Sequence, residues 1–274
     1  MQYIILLTGC IDPNGMSFTS LTDSTIRLKQ YISAINFYLH NTNFPIVFSE
    51  NSGTDINNYF KSYTDTKRLE LLSFNGNSCK EKGKGYGEAE IIDYALKRSL
   101  IISKYKDDCS IIKITGRLII ENITKLIDNK FPFQNNKSIV ASYNSDFSFV
   151  DTRIIIAPID FFYSFIKHKE EINDITNVFF ENVFSDCIKQ NMQYQFYPFY
   201  IEPHIQGQSG TTGNLYTPPV PTLKRRFQYL RYETKLLTLF NEKFSNKKFN
   251  VAISFFYKTI YIFFLIIVKL SVDK

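Results

Sequence analysis

The sequence predicts an α/β domain in which a mostly parallel sheet is flanked by helices and followed by a helical C-terminal tail. Three observations carry this. Short apolar runs alternate with segments of helical periodicity through the first half of the chain. Polar clusters follow those runs, most of them containing glycine, where a parallel sheet turns at the carboxyl ends of its strands. After Pro221 there is neither glycine nor proline, so nothing breaks a helix in the remainder.

The elements follow in order. Tyr3 to Leu7 is an apolar run ending in Thr8-Gly9, and reads as a first buried strand. Ser24 to Leu39 carries Leu28, Tyr31, Ile32, Ile35 and Leu39 at helical spacing, with Asp23 or Ser24 as N-cap. Pro45 to Phe48 is a second strand and Leu69 to Phe74 a third. Glu88 to Ile102 is helical, with Ala89, Ile92, Leu96 and Leu100 on one face. Ile111 to Ile114 is a fourth strand, ending in Thr115-Gly116-Arg117. Beyond it, Ile139 to Ser142 and Ile154 to Ala157 read as strands, and Asp160 to Lys169 and Asp174 to Gln190 as helices. Gln206 to Pro221 is rich in Gly, Ser, Thr and Pro and reads as a loop. Residues 1–221 are expected to form the main domain and 222–274 the tail.

The chain has 274 residues, 44% of them hydrophobic and 16% aromatic, which is a globular and not a disordered composition. Cys10, Cys79, Cys109 and Cys187 are scattered without a Cys-x-x-Cys pair, as are His40, His168 and His204. This argues for a reduced, cytoplasmic chain without a disulfide framework or a compact zinc motif. The apolar N-terminal run is too short for a signal peptide. The net charge of +6 is concentrated late, at Lys224, Arg225, Arg226, Arg231, Lys235, Lys243, Lys247 and Lys248 against Glu233 and Glu242. Such a segment suits an anionic partner, whether lipid headgroups, nucleic acid or a phosphorylated substrate, or is a solvated helix face. Val251 to Leu270 is strongly apolar but interrupted by Lys258. It suits an interfacial anchor; a buried helix or a span are the alternatives.

Two motifs carry chemistry. Ile46 to Asp55 is an apolar strand running into Glu50-Asn51-Ser52-Gly53, where a carboxylate at a strand end can accept two hydrogen bonds from an imide or a diol. Lys82 to Glu88 has three glycines and opens a helix, which allows close backbone approach and favours an anion at the helix N-terminus. In order and approximate spacing, Tyr3 to Asn122 resembles the GT-A glycosyltransferases, and the segments Lys82 to Glu88 and Lys113 to Arg117 resemble bacterial capsule and O-antigen transferases.

The resemblance implies transfer of a sugar from a nucleotide-sugar donor to a glycan or a lipid-linked acceptor at the inner face of the membrane. It places Thr8, Gly9, Glu50, Asn51, Lys84 and Gly85 at the donor, with Glu50 on the base or ribose. The family usually ends its next strand with Asp-x-Asp, which chelates a divalent Mn or Mg ion. This strand instead reads Lys113-Ile114-Thr115-Gly116-Arg117. Lys113, Thr115 and Arg117 are therefore assigned to the donor phosphates, Arg117 through its fork, with the acceptor side as its alternative. Asp146 and Asp151 are the carboxylates left for a metal. Asp151 beside Arg153 is a base or an acceptor clamp, and Glu181 is a second base candidate. The loop after Glu202 is expected to close over the donor and bring His204 or Gln208 to the diphosphate. Two other classes compete. Another nucleotide-dependent transferase is one, although Thr8-Gly9-Cys10 lacks the dinucleotide-binding glycines and no P-loop is present. A nucleic-acid- or membrane-binding module built on the basic tail is the other.

Overall fold

The structure, a computed structural model, describes residues 2–17, 19–77, 79–105, 109–128 and 137–244. The apolar segment 251–270 and the basic Lys247 and Lys248 lie outside the described residues.

The chain runs β1 (Gln2–Gly9), α1 (Ser24–Asn41), β2 (Ile46–Glu50), α2 (Lys61–Asp65), β3 (Leu69–Ser73), α3 (Lys84–Arg98), α4 (Leu100–Lys104) and β4 (Cys109–Thr115). It continues through β5 (Ile119–Ile120), α5 (Ile123–Asp128), β6 (Ser138–Tyr143), β7 (Val150–Pro158), α6 (Ile159–Ile166) and α7 (Phe180–Gln190). The last described elements are β8 (Gln195–Tyr197), β9 (Ile205–Gln208), β10 (Leu215–Tyr216) and α8 (Leu223–Phe244).

The main sheet has seven strands in the order β3-β2-β1-β4-β7-β6-β8. It is mostly parallel: β1 pairs in parallel with β2 and β4, β2 with β3, and β6 with β8. Only β7 runs against its neighbours β4 and β6. The reversal matters for the site. Ile114 of β4 faces Ile154 of β7, so Arg153 stands level with the last residue of β4 and Val150 to Thr152 extend past its carboxyl end. A small second sheet, β10-β9-β5, covers that edge.

Alternation along β1 sets the layers. Thr8 reaches Glu88 of α3 on one face (2.9 Å). Gly9 lies on the other face, where an added Cβ would stand 2.6 Å from Phe48 and 3.2 Å from Tyr31 of α1. The sheet is thus sandwiched between α1 and α3. Ile4 to Leu7 are fully buried between them, as are Ile111, Ile112 and Ile114 of β4. On the α3 face, Phe161, Phe162, Phe165, Phe180 and Phe184 form one aromatic cluster joining α6 to α7. These rings, five of the 26 phenylalanines, satisfy one another by packing and need no ligand.

Local differences from the expected elements have tertiary causes. Asp23 is the N-cap of α1, its Oδ1 accepting from Thr25 and Ile26 N–H. The helix expected from Glu88 begins at Lys84 and takes two of the three glycines into its first turn. Asp174, distant in sequence, supplies the reason: its carboxylate accepts the Gly85 N–H (3.0 Å) and caps the helix from outside. A Cβ at Gly83 or Gly85 would come within 2.6 or 2.7 Å of that carboxylate, and Gly83 also has φ +88°. The glycines here admit an aspartate. Asp174→Ala is therefore expected to destabilise the fold by about 1 kcal/mol. Gly85→Ala should cost less in that background than in the wild type, and denaturant unfolding of the four proteins measures both. Simple additivity would mean that these glycines do not serve Asp174.

The same helix ends early. Glu70 of β3 accepts from Leu100 and Ile101 N–H and from Ser99 Oγ, which starts α4 as a separate turn. The helix expected over Asp174 to Gln190 is a short 3₁₀ turn at Asp174–Thr176, a left-handed Asn177, and then α7. The expected loop 206–221 contains β9 and β10. The helix after Pro221 forms as α8, which buries Leu230, Glu233, Leu236, Leu237 and Phe240 and leaves Lys224, Arg226, Arg231 and Lys235 exposed. Phe240 packs on Tyr143 and Phe196 of the main sheet, at ring separations of 5.6 and 4.8 Å. Among the described residues no helix is long and apolar enough to cross a membrane.

Candidate functional site

A cleft of about 870 Å³ opens at the carboxyl ends of β1, β2 and β4. The start of β7, the first turns of α3 and α7, the segment 202–211 and the inner face of α8 complete its walls. Ligand sites in open α/β sheets lie at this edge. The antiparallel β7 brings Asp151, Thr152 and Arg153 to it from a region far along the chain.

A buried charge network forms the floor. The Lys113 ammonium is fully buried, ion-paired to Glu88, and donates to the Thr152 carbonyl (2.6 Å). Glu88 also accepts from Thr8 Oγ1. Glu181, in the first turn of α7, accepts from Thr152 Oγ1 (3.1 Å). Burial pushes the Glu181 carboxyl up from its ordinary range; the neighbouring Glu88 adds to this, and Lys113 opposes it. Two carboxyl groups thus flank one ammonium beneath the cleft.

The cationic wall is held by the chain as well as facing the space. Arg117, 8% exposed, donates to the Gln208 carbonyl (2.7 Å), and burial lowers its pKa from the ordinary arginine range. Gln208 in turn accepts from Gln30 Nε2 and donates to the Gly213 carbonyl. Lys84 donates to Thr211 Oγ1 and Ser20 Oγ to the Thr211 carbonyl, so the turn joining β9 to β10 is fastened beside the cleft. Arg27 holds the Cys10 and Leu21 carbonyls. On the other side, Arg153 grips both oxygens of Asp151 (2.9 and 2.6 Å) and lies over the Tyr216 ring (4.8 Å).

Of the residues expected at the donor, Thr8, Gly9, Asn51, Lys84, Gly85, Thr115, Arg117 and Gln208 line the cleft. Asn51 donates to Asn77 Oδ1 (2.6 Å), while its own Oδ1 is buried without a hydrogen-bond partner. Asp151, Arg153 and Glu181 also line the cleft. Four expected residues stand elsewhere. Glu50 is 1% exposed, and its oxygens accept from Ser52 and Thr54 N–H and from the Ser52 and Ser73 hydroxyls. It organises the turn after β2, with its carboxylate occupied by the chain. Lys113 lies under the floor. His204 is outside the lining, its backbone N–H bound to Asn122 Oδ1. Asp146 is also outside it: it caps an exposed turn through Ser148, which holds its carboxyl below the usual range.

The helix-terminus anion site expected at Lys84-Gly85 is filled by the Asp174 carboxylate. The two aspartates expected for a divalent metal are not brought together. Both Asp151 oxygens are taken by Arg153, and Asp146 does not line the cleft. Among the described residues no three His, Cys, Asp or Glu side chains come together as a metal-binding group.

Several lining residues escaped the sequence reading: Glu88, Arg27, Asn77, Asp174, Glu202 and Glu233. Glu88 was legible in one respect, as the carboxylate directly after the glycine run. The others reach the cleft only through packing of distant segments.

No protein-family model matches the chain, and no curated protein matches it in sequence. Solved structures that resemble it include the glycosyltransferase GlyE of Streptococcus pneumoniae TIGR4, at TM-score 0.41 and 10% identity, over 72% of this chain and 45% of that one. The bifunctional glycosyltransferase WbbM gives 0.42 and 13%, over 85% and 44%. A cytidylyltransferase from Leptospira borgpetersenii serovar Hardjo-bovis (strain JB197) gives 0.41 and 12%, over 100% and 96%. The chain therefore spans less than half the length of the two glycosyltransferases.

Proposed function

We propose that this chain is a glycosyltransferase that moves a sugar from a nucleotide-sugar donor to a glycan or lipid-linked acceptor in surface polysaccharide synthesis. The observation that supports it is the polarity of the cleft. Lys84 and Arg117 stand on one wall, and Glu181 and Asp151 line the same space. Fixed cations suit a diphosphate leaving group, and a desolvated carboxyl suits the proton of an attacking hydroxyl.

In this reading Lys84 and Arg117 bind the donor phosphates without a metal bridge. Asn51 and Asn77 sit beside β1 and β2, at the nucleoside end. In an inverting transfer the acceptor oxygen attacks the anomeric carbon. The bond from that carbon to the diphosphate oxygen breaks, and the nucleoside diphosphate leaves with the electron pair. Glu181 takes the proton of the acceptor hydroxyl, its raised pKa making it a better base than an exposed glutamate. Asp151, already neutralised by Arg153, orients the acceptor. The exposed basic face of α8 (Lys224, Arg226, Arg231 and Lys235) suits an anionic membrane surface at which a lipid-linked acceptor is presented.

A thermal-shift screen of UDP-, GDP- and CMP-sugars, with and without Mn²⁺ and Mg²⁺, tests this. A ligand at a hundredfold its Kd stabilises the native state by about 2.7 kcal/mol. At least one nucleotide sugar should raise the melting temperature equally with and without metal, and Arg117→Ala should abolish the shift. No shift with any nucleotide sugar would remove the reading. Pyrophosphate release from a nucleoside triphosphate and a sugar 1-phosphate would replace it with a nucleotidyltransferase.

A further inference from the structure

The end of the cleft formed by α8 has a chemistry of its own. Glu233 lines it from the buried face of the helix and is 3% exposed, yet its Oε2 has no hydrogen-bond partner among the described residues. Leaving a buried carboxyl oxygen unsatisfied is costly, and a fold that keeps one beside a cavity has a use for it. Tyr229 and Tyr232 of the same helix and Tyr216 of β10 line the same space.

The charges around this pocket are already balanced. Arg225 takes both oxygens of Glu202 at 2.8 Å, and Arg153 takes both of Asp151. Burial pushes Glu233 itself up to about 8; Glu202 contributes in the same direction and Tyr229 opposes it. Burial thus favours the protonated carboxyl, which can both donate and accept. A cleft end lined by tyrosines, with one carboxyl oxygen left unpartnered and burial favouring the neutral acid, is poorly suited to an ion. It suits a neutral ring with an apolar face and hydroxyls at its edge.

We propose that the pocket formed by Tyr216, Tyr229, Tyr232 and Glu233 is a subsite for an uncharged pyranose, with the Glu233 carboxyl hydrogen-bonded to one of its hydroxyls. The pyranose rests against the tyrosines, beside the Arg153 guanidinium that covers one face of Tyr216, and displaces no ion pair. Calling it the acceptor sugar rests on the transfer reading above; the subsite itself does not.

Saturation-transfer NMR on the full chain, with the methyl glycosides of glucose, galactose and N-acetylglucosamine as probes, tests it. At least one should bind saturably to the wild type at pH 7. Glu233→Leu should weaken that binding about tenfold or more, since the hydroxyl loses its partner. Glu233→Gln, which also donates and accepts, should stay within about threefold. Both variants remove a poorly satisfied buried carboxyl, and their melting temperatures should not fall. A wild type that binds none of the glycosides, or a Leu variant that binds them as the wild type does, would overturn the subsite. Nucleotide-sugar thermal shifts on the same proteins separate the two readings: a retained shift with no glycoside binding leaves the donor cleft standing and removes only this pocket.

Discussion

Glu88→Leu is expected to cost about 3–5 kcal/mol of stability, because it strands a charge that has nowhere to go. Lys113 is fully buried, whereas the Glu88 side chain is 23% exposed. Removing the carboxylate leaves an ammonium with one backbone carbonyl, at Thr152, under the floor of the cleft. It also deprives Thr8 Oγ1 of its carboxylate acceptor. The reverse substitution, Lys113→Met, leaves a carboxylate that can turn toward solvent, and its cost should be markedly smaller. The double variant should recover most of the loss, since two apolar groups of similar volume leave no unpaired charge. Denaturant unfolding of the three variants gives the coupling energy directly. Equal costs for the two single substitutions would show that the ammonium finds another partner or water, and that the pair is not the buried one described.

Glu181→Gln should lower the transfer rate by roughly 10²–10⁴-fold while leaving the fold intact, because it removes a proton acceptor and not a packing group. The stability should hold or rise, since the wild-type carboxyl is desolvated. Nucleotide-sugar thermal shifts should persist, separating loss of chemistry from loss of binding. The pH dependence has a definite sign. Burial raises the Glu181 pKa, so the reactive carboxylate form is lost as pH falls through that raised value. Transfer should therefore rise with pH across a window that begins above the ordinary 4.5 of a glutamate. Asp151→Asn is the comparison. It leaves Arg153 without its bidentate partner and should weaken acceptor use more than turnover. A larger fall in turnover for Asp151→Asn than for Glu181→Gln would exchange their roles.

Glu50 and Glu181 show why the residues expected at the site and those lining the cleft differ. Glu50 stood out in sequence because a strand running into Glu-Asn-Ser-Gly places a carboxylate at a sheet edge. What the motif could not reveal is that Ser52, Thr54 and Ser73 already occupy that carboxylate. Glu181 had no motif. It sits in the first turn of an ordinary helix, and only the packing of α7 against β7 brings it to Thr152 and the floor of the cleft. The glycine run that opens α3 was legible as a place of close approach; the partner, Asp174, lies far ahead in sequence.

The alternation of strands and helices, the burial of β1, a helix cap at Asp23 or Ser24 and the helix after Pro221 could all be read from the sequence. Periodicity, capping and breakers act over a few residues, so they can be read along a line. It also marked Lys113 to Arg117 and Lys84-Gly85 as charged turns at strand and helix ends. Only the tertiary structure decided which of those charges face the cleft. Lys113 turns beneath it to Glu88, while Arg117 stands in its wall and holds the 208 segment. The antiparallel course of β7 brings Asp151 and Arg153 to the same edge, and the basic helix α8 turns one acidic residue, Glu233, inward. Those outcomes depend on which distant side chain satisfies each buried charge, and burial makes such pairings obligatory only after the chain has folded.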